Sequence, residues 1–161
     1  MPYKYLEDIA VADVCFEASG KTIEEMFESS GLATTNVMIK TLKKISQKEK
    51  RKISVEADTI ENLLFKFLEE IIFLKDAKQL VFSKYKVKIS TGSSRRQTKS
   101  EISSASPFNG GKIYKLECEA AGEKLNMKKH DWLVDIKAVT WHLFEVRKEK
   151  NVWRARVILD I

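Results

Sequence analysis

From Trp153 onward apolar and polar residues alternate, with Trp153, Ala155, Val157 and Leu159 on one face and Arg154, Arg156 and Asp160 on the other. Alternation of this kind predicts a strand with one face buried. The same pattern predicts a strand over residues 3–18, with Val14 and Phe16 facing one way and Asp13, Cys15 and Glu17 the other. Ser19 and Gly20 then make a turn, and the period changes. Thr22 with Glu25 three residues on is a capping box, and Ile23, Met26, Phe27, Ser30, Val37 and Met38 continue it at helical spacing, with Gly31 a weak point. Residues 40–52 are basic and polar and read as a connection into a strand at 53–57.

A second helix is the clearest element. Asp58 is its expected cap, with Glu61 at the matching offset, and Ile60, Leu63, Leu64, Phe67, Leu68, Ile71 and Ile72 form its core-facing stripe. Strands are predicted at 80–90, 112–119, 133–146 and 152–161. Between the first two, residues 91–111 are rich in Ser, Gly and basic side chains, the composition of a mobile basic hairpin loop. Two helices among strands without strict β–α alternation predict an α+β fold: two helices packed on one face of a mostly antiparallel β-sheet sandwich.

Length bounds this to a single domain over residues 1–161. At 43% hydrophobic and 32% charged, with 2 Pro and 6 Gly, the composition is that of a soluble globular protein. No apolar run reaches the length of a membrane span, and no export signal opens the chain, so a cytoplasmic protein without a membrane partner is expected. Cys15 and Cys118 lack close-spaced partners and read as reduced thiols. A net charge of +6 suits work beside RNA or an acidic partner. No aromatic residues interleave with the clusters at 43–44, 48–52 and 95–99, so RNA contact is expected to be indirect or weak.

The motifs of nucleotide-binding loops, zinc proteases and serine hydrolases are absent. His130 and His142 are the two histidines, and neither is spaced as a metal cluster. His142 shares a face with Phe144 and Val146 and reads as a core or core-edge residue. What remains is an acid–base constellation of Asp13, Lys137 and Asp160. Asp160 next to a terminal carboxylate makes two adjacent negative groups, which repel unless a cation sits between them. A hard, oxygen-liking ion would answer that need. A solvated end-of-strand charge accounts for Asp160 as well, and structural ion pairing accounts for the trio.

These residues carry a resemblance. The opening Tyr3-Lys-Tyr-Leu-Glu-Asp-Ile-Ala-Val-Ala-Asp13-Val, the stretch Ile136-Lys137-Ala-Val-Thr-Trp-His142 and the ending Val157-Ile-Leu-Asp160-Ile161 resemble the archease family, in order across nearly the whole chain. The helices opening at Thr22 and running through Leu63 resemble family segments too. Two departures stand out: the family opening Tyr-Leu-x-His-Thr-Ala-Asp is here longer and lacks its histidine, and the 91–111 loop is longer than usual.

The resemblance implies a small α+β protein that is not itself an enzyme. It implies an activator of the GTP-dependent tRNA-splicing RNA ligase, promoting guanylylation and multiple turnover. The alternative it implies is a chaperone or modulator of a tRNA cytosine methyltransferase. A divalent metal, Ca²⁺ first, is implied at Asp13, Asp160 and the main-chain oxygens of Ile161. Lys137 and His130 match the family's other functional positions. A third reading, a metal-dependent phosphoesterase, lacks a general base and a deep catalytic signature.

Overall fold

The structure, a computed structural model, describes residues 2–7, 13–93 and 112–161. Its strands are β1 (Tyr3–Tyr5), β2 (Val14–Gly20), β3 (Glu49–Ala57), β4 (Leu80–Ser93), β5 (Lys112–Lys124), β6 (Ala138–Glu149) and β7 (Val152–Asp160). Helices α1 (Ile23–Met38), α2 (Ile60–Lys78) and the short α3 (Met127–His130) join them, with a 3₁₀ turn at Leu42–Lys44. Two antiparallel sheets result, ordered β1-β2-β7-β6 and β3-β5-β4. Both long helices touch strands of both sheets. The fold is α+β, as the change of period along the chain predicts.

The capping box at Thr22 forms: the Glu25 amide donates to Thr22 Oγ1 at 3.1 Å, and the Lys21 amide donates to Glu25 Oε2 at 2.9 Å. The second helix is capped one residue later than the sequence suggests. Thr59, in extended backbone, accepts from the Asn62 amide at 3.1 Å, while Asp58 accepts from the Asn62 side chain at 2.7 Å. The amide that needs a cap is three residues past Thr59, so the threonine takes the role.

The single strand expected over residues 3–18 is two. β1 folds back on β2 with Tyr3 opposite Ala18, which lets both segments face α1. Tyr5 Oη donates to the Ala33 carbonyl at 2.9 Å and Tyr3 Oη to Asn36 Oδ1 at 3.1 Å. The stretch that departs from the family opening, 8–12, lies outside the described residues, as does 94–111, most of the loop expected to be mobile. The connection at 40–52 holds the 3₁₀ turn and the start of β3. The strand expected at 133–146 begins only at Ala138, because Trp132 is first held in a bridge with Ile39.

α2 buries the predicted stripe: Leu63, Leu64, Phe67 and Leu68 are fully inaccessible, with Ile71 and Ile72 nearly so. Each such side chain contributes about 1.5–3 kcal/mol relative to exposure. In β4 the register shifts between Phe82 and Lys84. The extra residue, Ser83, breaks the alternation, so Phe82 and Tyr85 both reach the core with ring centroids 5.9 Å apart. Opposite the bulge, a Cβ on Gly122 would lie 1.9 Å from the Val81 carbonyl oxygen, and only glycine fits there. Both cysteines are free and buried, and burial pushes the Cys118 thiol up to about 12.

Candidate functional site

β7 is an inner strand of the four-stranded sheet, and its last residue, Asp160, lies between the starts of β2 and β6. β2 pairs with Val14 opposite Leu159, so one register step further sets Asp13, in the bend before β2, beside Asp160. On the other side Ala138 is opposite Asp160, and the Lys137 amide donates to the Asp160 carbonyl at 2.8 Å. Three residues more than a hundred positions apart at the extremes thus meet at one end of one sheet. The alternation that builds β7 sets Asp160 opposite in facing to the buried Leu159.

Lys137 is exposed and lies just outside β6, not within it. It lines a cleft of about 210 Å³ with Glu69, Phe73 and Asp76 of α2 and Ala138 and Val139 of β6. Lys137 thus borders the helix side of the sheet end.

The segment leading to Lys137 is held by a residue that the sequence reading passed over. Lys75 is 5% exposed; its Nζ pairs with the carboxylates of Asp76 and Asp135 and donates to the Ile136 carbonyl at 3.0 Å. A buried ammonium needs such partners, and here two half-exposed carboxylates and a carbonyl supply them. The signal was present: Lys75 continues the apolar stripe of α2 at the position after Ile71 and Ile72, where a lysine is out of place.

His130 is fully buried at the end of α3. Its Nδ1 accepts from the Asn126 amide at 2.9 Å, so the ring proton sits on Nε2, which lies 2.8 Å from Glu123 Oε2. Glu123 also accepts from Lys129 Nζ at 2.7 Å and from the Ser46 amide at 2.8 Å. Burial pushes the Glu123 carboxyl up, but the bonds from Lys129, His130 and Ser46 outweigh it and hold the group well below the usual carboxylate range. These partners tie His130 to β5 and to the turn before β3, and no atom of it reaches the surface or Asp160.

His142 is exposed, not the core or core-edge residue its neighbours suggested. Between Thr140 and Glu145 the pairing of β6 with β7 slips, and the intervening residues leave the alternation. Leu143 takes φ 54° there, and Trp141 turns back to stack on Phe65 of α2 at 3.9 Å. The bulge re-aims Trp141 and takes His142 away from Phe144.

Asp13 and Asp160 carry no ion pair among the described residues, and no group of three or more His, Cys, Asp or Glu side chains there is placed to hold a metal. The donors at the sheet end are two carboxylates and the main-chain oxygens of Ile161. All are hard oxygens, suited in kind to Ca²⁺ or Mg²⁺, and fewer than the six to eight that Ca²⁺ takes. Water or a phosphate would complete the shell.

The family model described as the Archease protein family (MTH1598/TM1083) matches residues 3–161. A protein archease of Methanosarcina barkeri is 35% identical over 159 residues, covering 99% of this chain and 95% of that one. One from Thermococcus kodakarensis is 36% identical over 151 residues, with 93% of each covered. The solution structure of Methanobacterium thermoautotrophicum protein 1598 matches 99% of both chains with a TM-score of 0.72 at 24% identity. The crystal structure of a Thermotoga maritima protein described as an archease and possible chaperone matches 94% of this chain and 93% of that one, with a TM-score of 0.54 at 18% identity. At those identities the two structures speak for the fold alone.

Proposed function

The chain belongs to the archease family, and from that premise we propose that it is an accessory protein that activates the GTP-dependent tRNA-splicing RNA ligase. The observation that carries this reading is the meeting of Asp13, Lys137 and Asp160 at one end of the four-stranded sheet. Backbone pairing draws these residues to one sheet end, and neither carboxylate is used in an ion pair among the described residues.

Asp13, Asp160 and the Ile161 main-chain oxygens would hold a divalent cation, Ca²⁺ first, in a partly filled shell. When bound, the ion supplies positive charge that a phosphate or a partner's carboxylate can share. The two aspartates orient the shell toward solvent. Lys137 presents an ammonium from the adjoining cleft, where it neutralises a nucleotide phosphate that the ligase brings. Lys75, through Asp135 and the Ile136 carbonyl, fixes the backbone from which Lys137 departs. His130 serves from the interior by bracing α3 against Glu123. The buried free cysteines fit a cytoplasmic, reducing setting.

The second reading, chaperoning of a tRNA methyltransferase, draws on the apolar surface at Trp141, which is 53% exposed, and Leu143, which is 43% exposed. A multiple-turnover RNA ligation with the ligase, GTP and Mn²⁺ separates the two. Substoichiometric amounts of this protein should raise the number of ligated products per ligase well above one. No rise would remove the activator reading and leave the chaperone one.

A further inference from the structure

The three-stranded sheet turns one face to the helices and the other to water. Ile53, Tyr85, Val87, Leu116, Cys118 and Ala120 are buried on the first. Most of the exposed alternate positions on the second are charged. On the central strand, Glu117 and Glu119 stand opposite Lys88 and Lys86 in register, and their nearest cations are Lys50, 3.6 Å from Glu119, and Lys52 and Lys115, 3.9 and 4.0 Å from Glu117. On the edge strand β4, Lys84, Lys86 and Lys88 are exposed and make no ion pair among the described residues. The Ser83 bulge sets this phase, since Tyr85 and Val87 turn inward after it and the lysines between them turn out.

We propose that this face docks the phosphate backbone of a duplex or folded RNA, with Lys84, Lys86 and Lys88 as the principal contacts. Alternate residues of a strand lie about 6.6–6.8 Å apart, so the row spans about 13 Å. Double-stranded nucleic acid presents a negative charge for about every 1.7 Å of its axis, so the row meets several. A shallow groove of about 430 Å³ runs beside it, lined by Lys50, Lys52, Lys86, Lys88, Glu117 and Glu119. The described open face offers Lys, Glu and Ser at its exposed positions, with no aromatic or large apolar anchor of the kind that carries protein interfaces. Without aromatics it has no platform for splayed bases, so the contact reads shape and charge rather than sequence. Among polyanions, the choice of RNA rests on the ligase reading; the charge argument does not.

The test is fluorescence anisotropy of a labelled 20-base-pair RNA duplex at 50–200 mM salt, with the wild-type chain and with K84T/K86T/K88T. Threonine suits a strand surface, and a thermal melt of the triple variant checks that the fold persists. Wild type should bind at low salt, and the slope of log affinity against log salt should fall by about 0.9 for each lysine lost, roughly 2.7 in all. A control with the same charge change elsewhere, K40Q/K78Q/K128Q, should keep most of the affinity. Absence of wild-type binding at 50 mM salt, equal losses in both triple variants, or equal competition by polyglutamate would each overturn the proposal. The D13A variant should bind the duplex like wild type. Failure here therefore leaves ligase activation standing, whereas loss of activation removes the ground for choosing RNA but not the polyanion binding that this assay reads.

Discussion

The Lys137 amide donates to the Asp160 carbonyl at 2.8 Å, which locks the start of β6 to the end of β7. With Asp13 one register step away on the other flank of β7, this bond fixes a lysine and two aspartates at a common sheet end. Neither aspartate makes an ion pair among the described residues. On the proposed reading, an ion held there would stabilise the folded state.

Calcium should therefore raise the thermal midpoint of the protein, and a chelator should reverse the rise. An ion that binds only the folded form stabilises by about 2.7 kcal/mol at a hundred times its dissociation constant. Asp160→Asn should abolish the calcium-dependent shift while leaving the midpoint without calcium near that of wild type. Differential scanning calorimetry with and without calcium reads both. An undiminished shift in the variant would place the ion elsewhere.

Lys75 should matter beyond its own contacts. Lys75→Met fills the same space without the charge, and Asp76 and Asp135, 55% and 57% exposed, regain water. The Ile136 carbonyl is left unpaired, at a cost of about 1–3 kcal/mol. Urea unfolding should show that loss. Ligase activation should fall further than the lost stability explains, because the backbone before Lys137 is released.

Glu123 gives the molecule an acid limit. Its folded carboxyl titrates well below the ordinary value of 4.5, so the unfolded chain binds the extra proton. Stability from this group is full above about pH 4.5 and is lost as pH falls through the folded value. Glu123→Gln should flatten the acid side of a stability–pH curve, and leave Ser46, Lys129 and His130 with a weaker acceptor. Urea midpoints measured from pH 7 to pH 3 test the sign.

Gly122→Ala should be among the most damaging single changes. The new Cβ would meet the Val81 carbonyl oxygen and the Phe82 Cα, both backbone atoms that cannot swing aside. The bulge at Ser83 would have to reorganise, with an expected loss of about 3 kcal/mol or more, in the upper tail for single substitutions. Equilibrium unfolding of the variant measures it.

The elements built on local period were legible. The Thr22–Glu25 box and the Leu63–Ile72 stripe are i to i+4 relations, carried by neighbouring residues. What escaped depends on partners distant in sequence. The bulges at Ser83 and after Thr140 are mismatches between two strands, and alternation along either strand alone hides them. The second put His142 on the surface when simple alternation gave it a core face. Thr59 outcompeted Asp58 by a single residue of backbone geometry. The candidate residues Asp13, Lys137 and Asp160 could be named from the polar faces and the end of the expected strands and from the family resemblance, but only pairing of β2 and β6 to β7 brings them to one sheet end. Lys75 was visible as a charge within an apolar stripe, and its acid partner Asp135, sixty residues away, was not.

The most direct measurement is RNA ligation turnover by the tRNA-splicing ligase with the Asp13→Ala and Lys137→Ala variants beside wild type, each first shown by thermal melting to be folded. The account predicts that both variants melt near wild type and that neither raises the number of products per ligase above the level seen without the protein. Turnover equal to wild type in either variant would contradict it.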